Sequence, residues 1–123
     1  MKVATGIKAE YWRAMALRNL AAISAQSGNK EQAAALLKQA LKVTDNLKDE
    51  YSKAIALKDL ATTLSQSGDS KQAADLFKQA LTVTDSIQDE SNKSAAVGAV
   101  AASIAELQNG EQAGLLEQAV KVA

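Results

Sequence analysis

Residues 11–50 are followed, without a gap, by a second version of themselves. YWRAMALRNLAAISAQSGNKEQAAALLKQALKVTDNLKDE runs directly into YSKAIALKDLATTLSQSGDSKQAADLFKQALTVTDSIQDE, and 22 of the 40 positions are identical. A more diverged third copy fills residues 91–123. There Lys93, Ala96 and Ala101 repeat Lys53, Ala56 and Ala61, and Gln118-Ala119-Val120 echoes Gln79-Ala80-Leu81. A fixed period of this length marks stacked supersecondary units, each covering the apolar face of its neighbour. Residues 2–10 align with 42–50, and the last residues stop before any counterpart of the 45–50 linker. The expectation is one repeat domain over 1–123, with a remnant at 2–10 and units at 11–50, 51–90 and 91–123, taken from a longer array.

Within each unit the apolar spacing is helical. Ala14, Leu17, Leu20 and Ala21 share one stripe, and Ala33, Leu36, Leu37, Ala40 and Leu41 share another. Between them Gly28 suits the left-handed residue that ends a helix, and Gly68 repeats it. Asn29 and Asp69 then suit the next N-cap, with Gln32 and Gln72 completing capping boxes. Asn109-Gly110 marks the third such turn, with Gln108 where the turn glycine belongs and one residue missing after Ala113. Asp49-Glu50 and Asp89-Glu90 place negative charge at helix starts, where the macrodipole favours it. The spacing predicts helices near 11–27 and 30–45, and the same again after each period.

Composition removes several function classes. Fourteen basic and fourteen acidic residues cancel, with no basic block, so neither a nucleic-acid backbone nor an anionic membrane is an expected partner. With no histidine and no cysteine, imidazole bases, thiol chemistry and most transition-metal sites are out of reach, and no cofactor or metal is expected. No apolar run approaches the ~20 residues of a membrane span. Compartment stays open between cytosol and periplasm.

The helix–turn–helix spacing resembles the tetratricopeptide repeat. That family places large-xx-large-small on the first helix and Ala-xxx-large-xx-Ala on the second, with a turn glycine between. Leu17, Leu20, Ala21, Gly28, Ala33, Leu37 and Ala40 match in the first unit. Leu57, Leu60, Ala61, Gly68, Ala73, Phe77 and Ala80 match in the second, and Val97, Val100, Ala101, Ala113, Leu116 and Ala119 more loosely in the third. The period exceeds the family's usual ~34 residues by some six, around the 44–52 junction. The family's proline and its first-helix aromatics are absent, Leu17 and Ser24 standing in the aromatic places. HEAT and armadillo arrays also have repeats near this length, but they usually carry a proline and an Asp/Arg pair missing here. The resemblance implies an all-α, right-handed solenoid of antiparallel helix pairs. It also implies a non-catalytic scaffold that binds a peptide or partner helix in a groove lined by the first helices.

Carried over by position, the groove residues are Met15, Arg18, Asn19, Ala22, Ala25 and Gln26. The second unit contributes Ile55, Lys58, Asp59, Thr62, Ser65 and Gln66. Arg18 and Lys58 share a repeat position, and two cations on one wall suit an acidic partner; solvation of an exposed helix face explains them as well. The asparagine of the family's carboxylate clamp is replaced by Ala22, so that clamp is not expected. In the third unit Gly98, Ala99 and Ala102 leave a small-residue surface for a partner, for a second copy in a homo-oligomer, or for further residues of the array. Tyr11 and Trp12 suit either a ligand anchor or packing against a preceding unit. The clusters at Asp45, Asp49, Glu50 and Asp85, Asp89, Glu90 fit helix ends better than a divalent ion. The alternative to a peptide groove is end-to-end self-association.

Overall fold

A computed structural model describes residues 7–66, 70–106 and 112–122. Six helices follow in order: α1 (Ile7–Gln26), α2 (Lys30–Asp45), α3 (Glu50–Gln66), α4 (Ser70–Asp85), α5 (Glu90–Ala105) and α6 (Gln112–Val122). They form three hairpins, α1/α2, α3/α4 and α5/α6, stacked so that α1, α3 and α5 pack in succession. This is the expected all-α helical repeat. Residues 67–69 and 107–111, and with them the expectations for Gly68, Asp69, Gln108, Asn109 and Gly110, lie outside the described residues.

Local chemistry explains the boundaries. Asp49 Oδ2 accepts from the Ser52 amide at 3.0 Å, and Asp89 Oδ1 accepts from the Asn92 amide at 2.9 Å. These caps start α3 and α5. At the same register α1 carries Ala9, a strong helix former with no cap to offer, and α1 begins at Ile7 rather than near Tyr11.

The first turn is a Schellman motif. The Asn29 amide donates to Ser24 O at 2.9 Å and the Gly28 amide to Ala25 O at 3.0 Å, with Gly28 at φ +88°. Asn29 Oδ1 caps the Gln32 amide at 3.1 Å, but the expected reciprocal bond is absent because the Asn29 amide is already committed to Ser24. The Gln32 side chain accepts from Asn29 Nδ2 and Ser24 Oγ instead, each at 3.2 Å. A Cβ built on Gly28 meets open space, so only its backbone angle resists substitution. Gly28→Ala is expected to cost about 1 kcal/mol in urea denaturation. Gly28→Asn retains most of that stability, because asparagine tolerates the left-handed region.

The core is concentrated in the middle unit. Leu57, Leu60, Phe77 and Leu81 are at most 1% exposed, joined by Val100, Ile104 and Leu115 from the third unit. Of their first-unit counterparts, Leu17 and Leu41 are only half-buried. Leu20, expected on the apolar stripe, is 51% exposed. A unit in a solenoid is buried by its neighbours, and α1 has none on that side among the described residues.

The long junction between units does packing work. Leu47 tucks among Ala14, Met15 and Ala56, flanked by Tyr11 and Val43. One period later Ile87 does the same with Ala54 and Ala96, flanked by Tyr51 and Val83. Each junction thus places one apolar plug between units. Thr44 and Thr84, both fully buried, satisfy their hydroxyls on Ala40 O and Ala80 O at 2.8 and 2.7 Å.

Candidate functional site

Between the first two units the second-helix layer is open. α4 packs on α6, but among the described residues no Cα of α2 comes within 8 Å of one in α4. The gap is a cleft of about 640 Å³, within the range of ligand-binding pockets. Its apolar walls are Ala22 and Ala25 of α1, Ala33, Ala34 and Leu37 of α2, and Leu64 of α3, beside Thr63. Small side chains on α1 and α2 make the space, since nothing longer than alanine projects from four of those positions.

Its rim is polar. Gln26, Gln66 and Gln72 stand around it, and Lys30 and Lys38 supply the only charges among the described lining residues. Both lysines are exposed, eight residues apart on α2, so they lie on one side of that helix.

The expected groove residues divide three ways. Ala22, Ala25, Gln26 and Gln66 line the cleft. Arg18, Ile55, Thr62 and Ser65 are half-buried and Asn19 is exposed, none of them lining it. Met15 is a correction: it is 7% exposed, beneath Leu47 and Ala56, because the junction folds back over it.

The pair of cations on one wall also needs revising. Lys58 Nζ lies 2.8 Å from Asp59 Oδ1, so this cation is already matched by its neighbour. Arg18 Nε is buried without a hydrogen bond among the described residues. Asp59 and Arg18 share a setting with Tyr11, whose phenol pKa is raised above 10.0, chiefly by burial. The negative charge of Asp59 raises it further, as does Tyr51, and Arg18 opposes them.

Elsewhere, members of the acidic clusters serve local structure. Asp49 and Asp89 cap helices, and Asp85 pairs with Lys93 at 3.4 Å. Trp12 is 60% exposed and makes an edge contact with Tyr11, ring centroids 5.2 Å apart. Gly98 and Ala102 are exposed and Ala99 half-buried on α5. Among the described residues no helix is long and apolar enough to cross a membrane.

The second-helix contributors, Lys30, Ala34, Lys38 and Gln72, were missed because the carried-over groove used first helices alone. The signal was present in KEQAAALLK, where a stripe of alanines on α2 is bracketed by two lysines.

A family model for the tetratricopeptide repeat matches residues 11–86, from the start of the first unit to just past the end of α4. No curated protein and no solved structure matches the chain. With helical hairpins in register and the family model spanning more than half its length, the chain belongs to the tetratricopeptide-repeat family, whose members generally mediate binding between proteins.

Proposed function

We propose that the chain is a non-catalytic interaction module that holds a short acidic, amphipathic segment of a partner protein between its first two units, against α1, α2 and α3. In this reading the segment's apolar side chains enter the cleft between the first two units. The cleft itself carries the reading: an alanine- and leucine-walled space with cations on its rim and no carboxylate among the described lining residues. A segment bearing aspartate or glutamate beside apolar residues matches both features. Stacked helices preorganise the walls, so ordering falls mainly on the ligand.

Ala34 gives the test, since it lines the cleft yet is exposed, and tryptophan there fills the space without entering the core. Short peptides selected from a random displayed library on the native chain are expected to be acidic. They should bind Ala34→Trp at least about tenfold more weakly in calorimetry, a loss of about 1.4 kcal/mol, with the helical circular-dichroism signal unchanged. A Lys30→Glu/Lys38→Glu variant should lose the same peptides and the salt dependence of their binding. Selected peptides that bind all three proteins equally place the site elsewhere and overturn the proposal.

A further inference from the structure

On α1 the residues Trp12, Ala16, Leu20 and Ile23 fall on one stripe. All four are exposed, the three large ones at 60%, 51% and 59%. The same stripe recurs one period later on α3 as Ser52, Ala56, Leu60 and Thr63. There Ala56 and Leu60 are fully buried and Thr63 is 4% exposed, because the first unit lies over them. On α5 it recurs as Asn92, Ala96, Val100 and Ser103, with Ala96 and Val100 again fully buried. Two of the three copies of this face are therefore interfaces, each covered by the helix pair before it.

The opposite end shows the complementary side. Leu81 on α4 is fully buried, in one core cluster with Val100, Ile104, Leu115 and Ala119 of the third unit. Its counterpart on α6 is Val120, which is 74% exposed. Among the described residues, α1 and α6 thus each present one half of an interface that the helix pairs already make with one another.

We infer that the α1 stripe is a self-association face, covered by the third unit of a second copy of this chain with Val120 at the contact. The occupant follows from the repeat register: what fits this face on α3 and α5 is a helix pair of the same kind, and a second copy carries one with its outer side uncovered. Such a contact is heterologous, joining different surfaces, so it extends into an open ladder rather than closing as a symmetric dimer. Three large side chains fall well short of the ~800 Å² per partner of a standard tight interface, so association is weak and driven by concentration. None of these residues lines the cleft, so the contact leaves the cleft free.

Light scattering after size exclusion, over a wide concentration range, tests this on the whole chain. The native mass is expected to climb past that of a dimer. A Leu20→Glu/Ile23→Glu variant and a Val120→Glu variant should each stay monomeric, with helix content retained because all three positions are exposed. Mixed in equal amounts, these two variants should form a dimer and stop there, since each supplies the half the other has lost. A native chain that stays monomeric throughout overturns the inference. So does a dimer indifferent to Val120→Glu, which would join the two α1 faces symmetrically. So does an assembly abolished by Ala102→Arg but not by the end variants, which would place the contact on α5.

Discussion

Leu60→Ala is expected to destabilise the fold by about 2–5 kcal/mol, while Leu20→Ala costs about 1 kcal/mol or less. The two leucines occupy one repeat position, forty residues apart, with the same residue truncated by the same atoms. Leu60 is fully buried against the first unit, so truncation loses both its transfer energy and the contacts around the vacated volume. Leu20 is half in solvent, and most of the removed surface was never dry. Thermal unfolding followed by circular dichroism should drop by roughly 10–20 °C for Leu60→Ala and by only a few degrees for Leu20→Ala. The comparison belongs at low protein concentration, where the α1 face is uncovered. Equal costs there would show that Leu20 is covered within the monomer, contrary to its exposure.

This pair also marks how far the fold could be read from the residues. The repeat period placed six helices and the Gly28 turn, because caps and helix enders act over a few residues and are written locally. Burial was less legible. Leu20 and Leu60 have the same local sequence signal, and only the presence of a covering neighbour, which depends on stacking, separates them. Met15 failed for a related reason: the position looks like a groove residue until Leu47, thirty-two places away, folds back on it. The cleft was half legible. Ala22, Ala25, Gln26 and Gln66 are first-helix positions that the family resemblance implies, and the α2 wall shows locally only as the alanine run of KEQAAALLK; the separation of α2 and α4 that opens it is set by stacking, and no local spacing encodes it. The pairing of Lys58 with its own neighbour Asp59 depends on side-chain rotamers rather than on repeat position.

Phe77→Ala should be the most damaging single truncation, at about 3–5 kcal/mol, a large share of the 5–15 kcal/mol that holds a typical domain together. Among the described residues Phe77 is the largest fully buried side chain, in the main core cluster with Leu57, Leu60 and Leu81. Removing its ring leaves a closed apolar cavity that neither water nor the packed helices readily fill. Leu37 holds the same repeat position in the first unit and is also mostly buried, at 7% exposure, but one side of it forms a wall of the cleft. Leu37→Ala therefore enlarges a space already open to solvent instead of creating a sealed one. Its expected cost is near the lower end for such truncations, about 2 kcal/mol. Urea denaturation of both variants measures the difference directly. In peptide binding the order reverses: Leu37→Ala removes part of the cleft wall and should weaken a cleft-bound segment, whereas Phe77→Ala should leave the affinity of the folded fraction nearly unchanged. If Leu37→Ala costs as much as Phe77→Ala, the first unit is closed over that position in solution, and the cleft that carries the binding proposal is too small to accept a side chain.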